Sequence, residues 1–327
     1  MVSKLIFNVG LLFIMMIPGI LLKKCKLSTD GLGKGISNLV LYIAQPALIF
    51  LAYVKAFDSV VLKNSLWVLL FSIISQAIFA VVAHFVYIKA PDSARRMLRF
   101  ATIFSNAAFM GIPLISAVLG DDCTIYASVY NISFNAFLWT LGVSICTKNR
   151  DGDGDGVNDD AKIKAMGGKT ILKAVFHPTM IAAALGLLFF FLPIEKYILD
   201  TEIVFEALNM LKNLVAPLSM VVIGLRLADL NLKGFFKDKD LYIFLVLRDL
   251  ALPAVAFAIM RVIIIFIPID AVVIKSVLIM ASAPAATSAT MFAEMYDCDA
   301  AYVSKLVAIS TILSLATMPL VSLLTKI

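Results

Sequence analysis

Two proline-containing segments carry residues that could bind a small polar solute inside an otherwise apolar chain. Asn106, Gly111 and Pro113 lie in Ser-Asn-Ala-Ala-Phe-Met-Gly-Ile-Pro, and Ser282, Pro284, Thr287 and Ser288 lie in Ser-Ala-Pro-Ala-Ala-Thr-Ser. Proline within a helix removes a backbone donor and clashes with the preceding turn, so carbonyls near Phe109 and Met110 are expected to lose their helical partners. Gly111 supplies the torsional freedom for such a break. The N-terminus of a half-helix carries partial positive charge and free N–H groups, which suits a carboxylate. Two such breaks predict a substrate site, with Asn106, Ser282 and Ser288 giving side-chain hydrogen bonds. The competing reading of the serines is small-residue helix packing.

Other chemistry is sparser. Arg248 and Asp249 sit well inside an apolar run, where an ionisable residue is costly and marks a functional candidate. Two roles stay open for them: Arg248 as countercharge to an anion with Asp249 as coupling group, or a structural pair whose ends snorkel to the surface. Asn38, Tyr42 and Gln45 form one polar stripe at helical spacing, and Glu202, Glu206, Asn209 and Asn213 form another. Lipid would reject both stripes, so they should face a cavity or the other half of the molecule, except that the outermost members, Glu202 and Glu206, are expected among the headgroups. His84 and His177 stand beside no Ser or Cys in a catalytic pattern. Paired mid-span aspartates are also missing, so no enzyme and no cofactor is expected. The four cysteines are far apart and show no CxxC spacing. Asp151, Asp153, Asp155 and Asp159, with Gly156, match much of a calcium loop, but Lys162 stands where a bidentate Glu is needed. A flexible acidic connector is the plainer reading of that stretch.

The elements that position these residues follow from composition. Hydrophobic residues make up 61% of the 327 and charged residues 15%, and mean hydropathy is +0.98. That balance excludes a soluble enzyme, and with no basic stretch interleaved with aromatics nucleic acid is not a partner. Apolar runs long enough to cross a bilayer fall near 5–22, 36–54, 66–88, 100–119, 124–146, 172–192, 203–225, 241–267, 271–293 and 303–325. The fold class is therefore all-α integral membrane with ten transmembrane helices. Placing nineteen of the 28 Lys and Arg residues inside puts both termini outside, in a multi-pass protein of the cell membrane.

A shift of 171 residues superposes Pro46 on Pro217, Pro113 on Pro284 and Asn38 on Asn209. Each half holds five spans, an odd number, so the second must enter the membrane upside down. The expected organisation is a first repeat over 1–146, a cytoplasmic linker over 147–171 and an inverted repeat over 172–327. Inverted repeats with proline-interrupted segments point to a secondary transporter whose site lies at the midplane.

Three segments make the chain resemble the auxin efflux carrier family, which includes bacterial carboxylate carriers and the plant PIN proteins. They are Asn38-Leu-Val-Leu-Tyr-Ile-Ala-Gln-Pro46, Ser105-Asn106-Ala-Ala-Phe-Met-Gly111-Ile-Pro113, and Ala283-Pro284-Ala-Ala-Thr-Ser-Ala-Thr-Met-Phe-Ala-Glu-Met-Tyr296. Ala108 stands where that family usually has glycine. The resemblance implies two inverted five-helix repeats, with the fourth and ninth helices broken and crossing at their prolines. It also implies a scaffold part, a transporter part, a homodimer, and binding by Asn106 and the backbone flanking Pro113 and Pro284. The function expected is secondary transport of a small organic anion, carboxylate or auxin-like, by an elevator-like or rocking motion, with a proton or sodium ion as coupling partner. Two alternatives remain: a membrane sensor that kept the transporter fold, and a sodium-coupled symporter of bile-acid type.

Overall fold

A computed structural model describes residues 2–29, 31–55, 57–147, 176–192, 201–228, 237–296 and 298–323. The expected linker beyond Thr147 and the aspartates of the calcium-like loop lie outside the described residues. Twelve helices are distinguished here: α1 (Val2–Lys24), α2 (Leu32–Tyr53), α3 (Ser59–Val86), α4 (Asp92–Ile103), α5 (Ala107–Leu119), α6 (Asp121–Thr147), α7 (Pro178–Phe191), α8 (Glu202–Ala228), α9 (Lys239–Phe266), α10 (Ala271–Ser282), α11 (Ser288–Met295) and α12 (Ala300–Ser322). Among the described residues the only extended pairing is one antiparallel bridge between Ser105 and Ala285.

Aspartates start several helices. Asp58, Asp238, Asp270 and Asp299 each accept a backbone N–H of the first turn of α3, α9, α10 and α12, satisfying a donor that the helix itself cannot. Proline shapes the helix interiors. A π turn ends two residues before Pro46, Pro113 and Pro253, at Val40–Ala44, Ala107–Gly111 and Leu247–Ala251. Proline leaves the carbonyl four residues back without a donor, and a widened turn lets the ladder shift by one residue so that the helix continues. Arg248 and Asp249 sit within one of these turns.

Seven described helices are long and apolar enough to span a membrane: α1, α2, α3, α6, α8, α9 and α12. The apolar helices α5, α7 and α10 are shorter. Two of the expected spans are interrupted, the fourth into α4 and α5 and the ninth into α10 and α11. The apolar run expected over 172–192 is described only from 176.

Packing sorts the helices into two groups. In the first, α1 lies along α8, and α2 lies against both α7 and α8. Glycine permits these approaches: a Cβ on Gly19 would collide with the Val221 carbonyl, one on Gly224 with the Met16 carbonyl, and one on Gly186 with the Tyr53 ring. In the second group α3 packs on α6 and α10, α12 packs on α4, α9 and α10, and α11 packs on α12. The two groups meet where α1 touches α5 and α12, and where α8 touches α5.

Candidate functional site

The two broken helices cross in the second group. Asn106 N–H donates to the Pro284 carbonyl at 2.6 Å, and Ala286 N–H donates to the Phe104 carbonyl at 2.9 Å. These bonds form the bridge between Ser105 and Ala285 and satisfy backbone groups that a break would otherwise leave bare. The crossing does not fall at both prolines, as the resemblance implies. Pro284 is part of it, whereas Pro113 lies further along, inside α5 and just beyond its π turn. The break in the first half is made by Ser105 and Asn106 without proline. The Asn106 carbonyl then accepts from both Met110 and Gly111, at 3.1 and 3.0 Å.

A small pocket of about 70 Å3 adjoins the crossing, bounded in part by Gln45, Asn106, Thr287 and Ser288. Asn106 is buried. Its Oδ1 accepts from Thr287 Oγ1 at 3.4 Å, and its Nδ2 has no partner among the described residues. An unmet buried donor at this point calls for an acceptor such as a carboxylate or carbonyl oxygen. Gln45 Nε2 donates to the Ala108 carbonyl at 2.9 Å, so the polar stripe of α2 ends at the pocket. Asn38 and Tyr42, on the same stripe, line a separate larger cavity. Glu202, Glu206, Asn209 and Asn213 line neither space.

The remaining candidates stand outside the pocket. Ser282 Oγ turns back to the Ile279 carbonyl at 3.2 Å. Gly111 packs against the Met280 sulfur, where a Cβ would intrude. Pro113 and Pro284 shape backbone and line neither space. Residues outside the sequence-derived site also line the pocket: Asn131 and Asn135, one turn apart on α6, with Trp139 and His177. His177 Nδ1 is 2.8 Å from Thr179 Oγ1, and its ring lies 5.3 Å from that of Tyr42. Two mid-span amides at i, i+4 were a legible signal. His177 was not, because nothing in the chain shows that the start of α7 folds against the crossing.

Arg248 and Asp249 brace the crossing from behind. Arg248 is fully buried. One guanidinium nitrogen donates to the Ala281 and Ala283 carbonyls at 2.9 and 2.7 Å, and the other to the Thr102 carbonyl at 3.4 Å. Those carbonyls end α10 and α4, where helix dipoles concentrate negative charge and intrahelical donors run out. The Phe79 ring covers the cation at 5.6 Å. Asp249 Oδ1 accepts from Ser310 Oγ at 2.7 Å, and Ser310 Oγ in turn accepts from Ala285 N–H at 3.0 Å. A buried carboxyl group is thus wired through one hydroxyl to the crossing itself, and its Oδ2 has no partner among the described residues. Neither residue lines the pocket, and neither snorkels.

The two helix groups are also tied at the end of the bundle where α5 stops. Lys212 on α8 pairs with Asp121 at 2.7 Å, and Ser116 hydrogen-bonds the same aspartate. Lys55, between α2 and α3, donates to the Asp122 carbonyl at 3.2 Å; its burial lowers its ammonium pKa, and Asp122 offsets part of that. Among the described residues no cluster of three His, Cys, Asp or Glu could hold a metal.

An all-helical membrane chain with two interrupted helices crossing at buried polar groups has the form of a transporter. A family model described as "Membrane transport protein" matches residues 5–322. The chain therefore belongs to that family, the auxin efflux carrier family that its motifs resemble. A curated relative from Methanothermobacter thermautotrophicus, described as an "Uncharacterized transporter", is 25% identical over 310 residues, covering 94% of each chain.

Proposed function

We propose that this protein is a secondary transporter of a small organic anion, and that the crossing of the two broken helices is its substrate site. The observation that carries this is Asn106: a buried amide whose Nδ2 lacks a partner among the described residues, lining a small pocket beside the crossing of the two broken helices. Gln45, Thr287 and Ser288 complete the polar wall, and Asn131 and Asn135 face them from α6. Arg248 acts as a clamp that neutralises the carbonyl ends of α4 and α10. Asp249 is the coupling group, because its protonation would be felt at Ala285 through Ser310.

Counting each broken helix as one crossing gives ten spans in two inverted five-helix repeats. The pairing of helices supports this. In the structure α1 packs on α8, the second half's counterpart of α2, while α7, the counterpart of α1, packs on α2. Likewise α3 on α6 mirrors α9 on α12. Alternating access follows as motion of the crossing group against the group of α1, α2, α7 and α8, in a homodimer of the cell membrane with both termini outside.

The test is uptake by proteoliposomes of radiolabelled acetate, benzoate and succinate, with and without proton and sodium gradients. Wild type is expected to accumulate at least one of them, and Asn106→Ala, still monodisperse, to lose about 1.5–3 kcal/mol of anion binding, roughly ten- to a hundredfold. Wild-type rates in Asn106→Ala would place the site elsewhere. A sodium requirement would move the reading to the bile-acid type of symport.

A further inference from the structure

A second space, of about 1250 Å3, opens between α1, α2, α8, α11 and α12. Its wall carries Lys23, Lys34, Arg226 and Lys305 against one described carboxylate, Glu294. It shares Leu41, Thr287 and Met291 with the crossover pocket, so the two spaces adjoin. The size difference matters. A pocket of about 70 Å3 takes a functional group rather than a molecule, since whole-ligand sites run to ~300–1,000 Å3. A substrate reaching Asn106 in this conformation must keep the rest of its body in the larger space.

Arg226 stands at the junction. It is half-buried near the end of α8, and its Nη1 donates to the Thr287 carbonyl at 2.7 Å. No other hydrogen bond of Arg226 is found among the described residues. Its guanidinium has five N–H donors in a planar fork, which matches a carboxylate in bidentate fashion. Hydrogen bonds to an ionised acceptor are roughly twice as strong as those to a neutral carbonyl. A carboxylate entering the large space therefore competes favourably with Thr287 for the same donors. The contact it displaces is one that ties α8, in the first helix group, to the crossing, in the second.

We propose that Arg226 is the anion receptor of this transporter, and that carboxylate binding at Arg226 releases Thr287 and so unties the crossing from α8. This rests on the transport reading above and names the charge that selects acids within it. Arg248 cannot serve, because it is fully enclosed, lines neither space, and has both terminal nitrogens held by the carbonyls at Thr102, Ala281 and Ala283. Of the described cations on this wall, Arg226 is the one bonded to the crossing itself.

Trp139 lines the crossover pocket, so in a Trp67→Phe background it is the single tryptophan left of two and reports binding independently of flux. Acetate, benzoate and succinate, each beside its uncharged amide, are titrated against purified full-length protein by fluorescence and then compared as substrates in proteoliposomes. Arg226→Gln is expected to weaken acid binding and raise the acid KM about ten- to a hundredfold, with amide binding unchanged. Arg226→Lys, a charge without the fork, should fall between. Unchanged acid affinity in Arg226→Gln, or equal weakening of acid and amide, would overturn the proposal. If Arg226→Gln is not monodisperse, Arg226→Lys decides alone: a wild-type acid KM sinks the idea. Wild-type protein that neither binds nor carries any of the acids would instead defeat the transport reading on which it rests.

Discussion

Arg226 and Arg248 are the same side chain in two opposite settings. Arg248 is wholly enclosed and holds three carbonyls that end broken helices. Arg226 holds one carbonyl and faces a large space bordered by further cations. Depth in an apolar run is therefore a poor guide to use. A guanidinium surrounded by backbone acceptors is part of the frame, and one with donors to offer at a cavity wall is part of the chemistry.

The comparison breaks most visibly at Arg248. Replacing it with Leu leaves carbonyls of α4 and α10 without donors, and losing one partner of a buried charged contact costs about 3–5 kcal/mol. We expect little folded Arg248→Leu protein, read as yield and melting temperature in detergent; near wild-type melting would return Arg248 to the list of substrate ligands. Arg226→Gln sharpens the contrast from the other side, since its melting should stay within about 1 kcal/mol of wild type while acid transport falls. Asp249→Asn keeps the acceptor for Ser310 and removes the ionisable group. Its uptake rate should be independent of pH where the wild-type rate varies, and an unchanged pH profile would remove Asp249 from coupling. The smallest effect is expected from Lys212→Ala. Its partner Asp121 is well exposed, so stability should shift by about 0–1 kcal/mol, and a larger loss would make that end of the bundle a third structural clamp.

Much of the frame is legible in the residues. Apolar runs locate the spans, and Pro46 and Pro113 foretell turns that depart from the regular helix, because proline acts locally. The register of the crossing is not legible. The resemblance implies a crossing at Pro113 and Pro284, whereas the structure pairs Ser105 with Ala285. A break made without proline is held open by its partner strand, and that partner is remote in sequence. Asn106, Thr287 and Ser288 are brought together as their motifs suggest, and Ser282 is not, because its hydroxyl is satisfied within its own helix. Arg226 ends an apolar run and so counts as a topological charge. Only the fold shows that α8 continues to Ala228 and carries it against Thr287.

The bridge between Ser105 and Ala285 has a consequence for how such a molecule diversifies. The N–H groups of Asn106, Ala285 and Ala286 are all committed to Pro284, Ser310 and Phe104. With these three peptide groups engaged in holding the crossing together, more of the discrimination among solutes falls to side chains around it. Those positions can mutate, and the preferred cargo can drift, while the crossing keeps its geometry.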